Sequence, residues 1–159
     1  FLGMITATIL GRFEKTLENV ALLAAFIPII SGMSGNSGTQ SLAVSVRNIT
    51  TGEINEQSKF RIALREAGSG VLSGVVCSTI LFTIIVAIYH QPLLALIVAG
   101  SLTCAMTVGT FVGSMIPLLM NKLNIDPAVA SGPFITTIND IISMLIYFGL
   151  ATSFMAYLI

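Results

Sequence analysis

The sequence predicts an all-α integral membrane protein with five transmembrane helices. Hydrophobic residues make up 55% of the 159-residue chain and charged residues only 9%, whereas a typical soluble domain has roughly 25% charged residues. The few charged residues cluster in short connections between long apolar stretches, as expected of helices that cross a bilayer. We therefore expect the chain to be embedded in a lipid bilayer and to have no nucleic-acid partner.

Polar or proline-containing connections divide the chain into five apolar spans. Phe1–Leu10 is only about half as long as the roughly 20 residues that a crossing requires, and we interpret it as the end of a truncated helix. The second span, Asn19–Val46, is predicted to be interrupted by Pro28 and by a glycine-rich run. The remaining spans are Ala67–Tyr89, Leu93–Met120 and Ala128–Ile159.

The basic residues predict how the chain is oriented in the membrane. Arg12 and Lys15 lie between the first and second spans, and no basic residue lies between the third and fourth. The other basic residues lie in the second-to-third and fourth-to-fifth connections: Arg47, Lys59, Arg61, Arg65 and Lys122. Connections rich in Lys and Arg stay in the cytoplasm. We therefore expect a multi-pass protein of the cell membrane (plasma or inner) with a cytoplasmic amino terminus.

A polar run inside the second span predicts a pore or a binding cavity. Residues 31–41 read SGMSGNSGTQS, which is too polar and too rich in glycine to face lipid. Gly32 and Gly35 would let a neighbouring backbone approach and would expose carbonyl groups. The side chains in the run that can order a hydration shell are Asn36, Thr39 and Gln40. The glycines are also suited to plain helix packing, which remains an alternative.

Asp140 is an acidic residue deep within an apolar span. A charge at this depth costs roughly 2.5 to 3.5 kcal/mol on insertion scales, and no Lys or Arg lies at comparable depth in the sequence. A mobile hard divalent cation is therefore the expected partner. The alternative is a protonated, hydrogen-bonded aspartate near the helix terminus after Pro133. Thr136 lies four residues earlier on the same helical face, and Thr137 and Asn139 offer further oxygens; we expect these side chains to line the same path.

The run IPIISGMSGNSGTQS, followed by RNI and later by DPAVASGPFITTIND, resembles the transmembrane domain of the MgtE magnesium channels. The resemblance implies a homodimeric five-helix pore domain that conducts hydrated Mg²⁺, and other divalent cations, into the cytoplasm. The ion path would follow the two-fold axis between the second and fifth helices. By this resemblance Asp140 is the pore aspartate and Gly32 and Asn36 line the pore. Together with Thr136, they form the predicted metal site.

Two residues depart from the family pattern, and both bear on ion selectivity. Gly132 stands before Pro133 where members often carry asparagine, and Thr39 replaces the second asparagine of a GNxGNQ run. Members also carry cytoplasmic amino-terminal and CBS domains, which we expect to lie outside this sequence. Residues 1–159 are therefore interpreted as one transmembrane pore domain.

Two alternative functions remain open at this point. A carrier that exchanges Mg²⁺ for another ion has the same sequence features as a channel. An intramembrane serine protease is suggested by Gly32-Met33-Ser34-Gly35, which matches a GxSG motif. That chemistry needs a histidine base within hydrogen-bond reach of Ser34, and the only histidine, His90, lies in a predicted loop. We therefore expect no enzyme activity. Cys77 and Cys104 are interpreted as free thiols.

Overall fold

The computed structural model describes residues 2–12, 21–52, 59–129 and 131–154. These residues form five α-helices and two short 3-10 turns, with no strand among them, so the predicted all-α class is confirmed. The helices are α1 (Leu2–Arg12), α2 (Ile27–Thr50), α3 (Lys59–Tyr89), α4 (Pro92–Lys122) and α5 (Gly132–Ser153). The 3-10 turns are Ala21–Phe26 and Pro127–Val129.

Three helices of the described chain, α3, α4 and α5, are long and apolar enough to cross a membrane. Helix α2 has 24 residues and is about 36 Å long at 1.5 Å per residue, which is sufficient length for a crossing. Its Gly, Ser and Asn residues make it less apolar than the other three. Helix α2 therefore depends on its neighbours for shelter from lipid.

The second predicted span differs from α2 in two respects, its predicted interruption and its predicted end at Val46. Pro28 does not interrupt the helix, because it lies in the first turn, where a missing N–H would have no intrahelical partner in any case. The helix then continues unbroken through the glycine-rich run to Thr50. The prediction of an interruption was therefore wrong. The predicted start of this span at Asn19 lies outside the described residues.

The other helices begin and end close to the predicted bounds, with one clear exception. Helix α3 begins at Lys59 rather than at Ala67, so its first two turns consist of residues that the sequence assigns to a connection. Hydropathy detects only the apolar part of a helix, and charged turns at a membrane edge escape it. Helix α5 is shorter than the fifth predicted span, whose end at Ile159 lies outside the described residues.

Helix α4 lies at the centre of the bundle and packs against α2, α3 and α5. Glycines make these contacts close. A Cβ atom added to Gly113 would overlap the carbonyl oxygen of Gly38, so α2 and α4 touch backbone to backbone. A Cβ atom added to Gly70 of α3 would likewise overlap the Thr110 side chain of α4. The glycines thus allow α2 and α3 to pack closely against α4.

The 3-10 turn before α2 is anchored at the end of the bundle opposite the basic residues. The buried Tyr147 hydroxyl donates a hydrogen bond to the carbonyl oxygen of Leu23, with an O···O distance of 2.9 Å. The Phe26 ring packs edge-on against Tyr89, with 6.1 Å between the ring centroids. These contacts fix the point at which α2 enters the bundle.

We expect Gly113→Ala to destabilise the protein strongly. The new methyl group would meet backbone atoms of Gly38, which cannot move without separating α2 from α4, and overpacking of this kind costs about 3 kcal/mol. Gly149→Ala is the matched control, because a Cβ atom there has no neighbour within 4 Å. Thermal melting of the purified protein in detergent measures both effects. A Gly113→Ala protein that melts like Gly149→Ala would contradict the described helix contact.

Candidate functional site

Helices α2 and α5 run antiparallel and place the polar run of α2 beside Asp140. The Ser31 hydroxyl near the start of α2 donates a hydrogen bond to Asp140 Oδ1, in the middle of α5. Two turns further along α2, Thr39 faces Gly132 at the beginning of α5: a Cβ atom added to Gly132 would lie 3.6 Å from Thr39 Cγ2. The two helices therefore remain in contact along the stretch that the sequence singled out.

Asp140 lies eight residues after Gly132, the first residue of α5, which is about 12 Å along the helix. Its side chain is half-buried. The Ser31 hydroxyl supplies the hydrogen bond to the carboxylate, and no Lys or Arg among the described residues forms an ion pair with it. The carboxylate is thus held in place without an ion pair to a basic residue of the described chain.

Gly35 brings the α2 backbone against the Asp140 side chain. A Cβ atom added to Gly35 would lie 3.4 Å from Thr136 Cγ2 and 3.7 Å from Asp140 Oδ1, which are ordinary van der Waals distances. Asp140 and Thr136, one helical turn apart on α5, therefore face the same strip of α2. The structure brings these two predicted site residues together.

A groove of about 730 Å³ lies between α2 and α5, on the side of Asp140 that leads toward the basic ends of the helices. Asn36 and Gln40 are exposed in it, and Thr136 is half-buried. Its lining residues are Asn36, Thr39, Gln40, Ala43, Gly132, Pro133 and Thr136. The groove thus presents amide and hydroxyl oxygens from both helices.

The hydroxyl groups of the groove are oriented by their own helices. Thr39 donates to the carbonyl oxygen of Gly35 at 2.9 Å, and Thr136 donates to that of Pro133 at 3.0 Å. Because each hydroxyl proton is donated within its own helix, the lone pairs of the hydroxyl oxygens are available to accept hydrogen bonds in the groove. Acceptors of this kind suit the hydrogens of a water molecule.

Gly32 lies on the exposed face of α2, one turn before Asn36. A Cβ atom there would have no neighbour within 4 Å. Of the four predicted site residues, Asn36 and Thr136 line the groove together, Asp140 lies one turn beyond Thr136, and Gly32 is not among the lining residues of the groove.

Asn139 does not line this path, contrary to the sequence prediction. It is fully buried, and its Nδ2 lies 3.4 Å from the carbonyl oxygen of Ser34 and 3.5 Å from that of Gly109. It therefore joins α5 to α2 and α4 on the side away from the groove. Successive helical residues point about 100° apart, so the neighbours Asn139 and Asp140 face different helices.

Two polar contacts were not foreseen from the sequence. One is the Ser31 hydroxyl on Asp140, whose only signal is its position in the polar run. The other joins α2 to α3: the buried Ser41 hydroxyl donates to Glu66 Oε2 at 2.8 Å. Glu66 lies among other charged residues in the sequence, which give no signal of this contact. The early start of α3 brings it beside α2.

The protease hypothesis is contradicted. Ser34 is fully buried and donates its hydroxyl proton to the carbonyl oxygen of Ala105 at 2.9 Å. His90 is exposed in the turn between α3 and α4, with a φ of 55°. No histidine base is therefore bonded to the serine. Cys77 and Cys104 are free thiols, as predicted, although Cys104 is exposed.

Comparison with known proteins identifies one family. The sequence profile of the MgtE family, described as "Divalent cation transporter", matches residues 27–150. The chain is 45% identical over 154 residues to the magnesium transporter MgtE of Bacillus subtilis, covering 97% of this chain and 34% of the relative. It is 42% identical over 159 residues to the protein of that name from Enterococcus faecalis, covering 100% of this chain and 35% of the relative.

A third relative of the same name, from Thermus thermophilus, is 36% identical over 151 residues, covering 94% of this chain and 33% of the relative. The chain thus spans about a third of the length of the relatives that it matches.

We expect Asn139 and Gly38 to be coupled in stability. A Cβ atom added to Gly38 would overlap Asn139 Nδ2, so Gly38→Ala should be strongly destabilising. Asn139→Ala alone should cost about 1 to 3 kcal/mol through its lost polar contacts. In the double variant the new methyl group occupies the space that the Asn139 side chain has vacated. The loss of stability of the double variant should therefore be smaller than the sum of the two single losses, by at least about 1 kcal/mol. Melting of the four proteins in detergent measures the coupling. Strictly additive losses would contradict the assignment of Asn139 to packing.

Proposed function

Because this chain belongs to the MgtE family of divalent cation transporters, we propose that it forms the pore domain of a Mg²⁺ channel. In this proposal hydrated Mg²⁺ passes along the groove between α2 and α5 into the cytoplasm. The observation that carries the proposal is the carboxylate of Asp140, which lies about 12 Å along α5 with Ser31 as its hydrogen-bond donor and no basic partner among the described residues. A carboxylate at this depth with no basic partner is expected to bind a cation.

We propose that Asp140 binds the ion through its water shell. Mg²⁺ gives up its waters reluctantly and requires near-octahedral geometry, so a pore that holds the hydrated ion avoids the cost of dehydration. Six waters occupy about 180 Å³ at about 30 Å³ each, and the groove of about 730 Å³ has room for them. The oxygens of Asn36 and Thr136 would accept hydrogen bonds from these waters. Loose binding also allows the ion to leave.

We propose that two copies of the chain enclose the path. In one protomer Gly32, Asn36 and Gln40 are exposed on α2, and Asp140 is half-buried beside them. Lipid cannot satisfy these polar groups. A second copy related by a two-fold axis would cover the face and add a second Asp140 carboxylate. The open space beside Gly32, where an added Cβ atom meets nothing within 4 Å, suits the approach of a second chain or of hydrated ions.

The orientation that we propose follows from charge. Arg47 near the end of α2, Lys59 at the start of α3 and Lys122 at the end of α4 lie at one end of the bundle. His90, in the turn between α3 and α4, lies at the opposite end. The positive-inside rule assigns the first end to the cytoplasm. The proposed topology has five crossings of the cell membrane and a cytoplasmic amino terminus.

We propose channel conduction rather than exchange. Outer-shell contacts from hydroxyl and amide groups bind a hydrated ion weakly at several points, which allows passage without a closed intermediate. A carrier with the same site would need to alternate between two closed forms. Single-channel recording of the reconstituted protein separates the two, since only a channel passes discrete currents down an imposed Mg²⁺ gradient.

The charge of Asp140 is the first test. Asp140→Asn keeps the shape of the side chain and an oxygen that accepts from Ser31, but it removes the charge that attracts the cation. We expect Mg²⁺ uptake into proteoliposomes to fall by more than about tenfold. Glu66→Gln is the matched control, because it makes the same chemical change at a carboxylate that faces Ser41 rather than the groove, and its uptake should stay near wild type. Normal uptake by Asp140→Asn would overturn the proposed function.

The open space at Gly32 gives a second test. We expect Gly32→Leu to melt close to the wild-type temperature, because Gly32 is exposed and a Cβ atom added there meets nothing within 4 Å in the single chain. It should nevertheless abolish Mg²⁺ uptake by filling the space on the two-fold axis. Gly68→Leu is the control, since Gly68 is an exposed glycine of α3 with equally open surroundings, and it should transport normally. Wild-type uptake by Gly32→Leu would remove Gly32 from the ion path and from the dimer contact.

A further inference from the structure

We infer that Ser31 is a specificity-determining residue: its hydroxyl occupies one oxygen of Asp140, so that the ion meets a single carboxylate oxygen from each subunit. The inference rests on the proposed function, because it concerns the carboxylate that would face the ion. It assigns to Ser31 the discrimination between Mg²⁺, which keeps its water shell, and ions that bind both oxygens of one carboxylate.

The hydrogen bond of Ser31 differs from those of the threonines in the groove and beside Asp140, and like those of Ser34 and Ser41 it reaches another helix. Thr39, Thr136 and Thr137 each donate to a carbonyl oxygen three or four residues earlier in their own helix. This is the usual local arrangement for hydroxyls within helices. Ser31 instead donates to Asp140, 109 residues away in the sequence. Its proton is therefore directed toward the carboxylate.

Two contacts show which oxygen of Asp140 faces α2. Ser31 Oγ donates to Oδ1, and a Cβ atom added to Gly35 would lie 3.7 Å from the same Oδ1. Both approaches come from α2. The two oxygens of a carboxylate diverge from Cγ, so Oδ2 is directed away from these contacts. No hydrogen bond to Oδ2 is formed by the residues that the structure describes. Oδ2 is thus the oxygen left for the ion and its waters.

The consequence depends on how each ion uses carboxylates. Mg²⁺ keeps several waters in an octahedron and binds through few carboxylate oxygens, whereas Ca²⁺ takes six to eight oxygens and accepts both oxygens of one carboxylate. The Ser31 hydrogen bond takes one of the lone pairs of Oδ1 and draws electron density from that oxygen, so it competes with two-oxygen binding of Ca²⁺ at Asp140. Ser31 therefore disfavours Ca²⁺ while leaving hydrated Mg²⁺ unaffected. Specificity here comes from a cost imposed on the competing ion.

The test is Ca²⁺ inhibition of Mg²⁺ uptake into proteoliposomes. Ser31→Ala releases Oδ1, and the Ca²⁺ concentration that halves Mg²⁺ uptake should fall about tenfold, the effect of one hydrogen bond to a charged group. Ser31→Thr keeps a hydroxyl at the same position and should retain the wild-type value. Ser37→Ala removes a hydroxyl from another face of α2 and should also leave the value unchanged.

An unchanged half-inhibiting Ca²⁺ concentration in Ser31→Ala would overturn the inference, as would an equal shift in Ser31→Thr or Ser37→Ala. If Ser31→Ala transports no Mg²⁺, the rise in melting temperature with Ca²⁺ or with Mg²⁺ supplies the same comparison, and an unaltered ratio of the two counts against Ser31. Failure of the proposed function has a different signature, which is normal uptake by Asp140→Asn. The two outcomes are therefore separable.

Discussion

The backbone contact between Gly38 and Gly113 is the constraint on which the rest of the bundle depends. Helix α2 is poor in apolar side chains and gains little from contact with lipid. Its association with α4 therefore relies on close packing and on polar contacts between helices. Because neither glycine carries a side chain, Ser34 reaches the carbonyl oxygen of Ala105, and Asn139 fits between three helices. Any side chain at the crossing would separate these groups.

Helix α2 carries two polar faces that serve opposite purposes. Ser34, Ser41 and Ser45 are buried against the bundle, whereas Asn36 and Gln40 are exposed. At about 100° per residue, the first set and the second lie on opposite sides of the helix. Small hydroxyl residues suit the buried side because they let helices approach and can bond across them. Larger amides suit the open side because they reach into the groove. One polar run in the sequence thus contains both surfaces.

The sequence predicts the helices and the groove better than it predicts individual contacts. The apolar spans, the polar run and Asp140 were all visible, because hydropathy and an isolated charge need no knowledge of the neighbouring helices. Asn139 was assigned to the wrong face, since chemistry alone does not show which helix lies beside a residue. Ser31 and Glu66 were missed for a related reason. Each bonds to a residue far away in the sequence, and only packing brings the partners together.

The energetic state of Asp140 links the fold to the proposed transport. A carboxylate at this depth is stabilised within the chain by the hydrogen bond from Ser31, which offsets only part of the cost of leaving water. Complete neutralisation by a Lys or Arg would stabilise the fold, but it would also remove the attraction for a cation. Asp140 instead has no basic partner among the described residues, and Ser31 and Gly35 lie against its Oδ1. In the proposed pore, water and the ion supply the rest of the stabilisation of the carboxylate. Because Asp140 has no basic partner, it would attract a hydrated cation and still bind it weakly enough to let it pass.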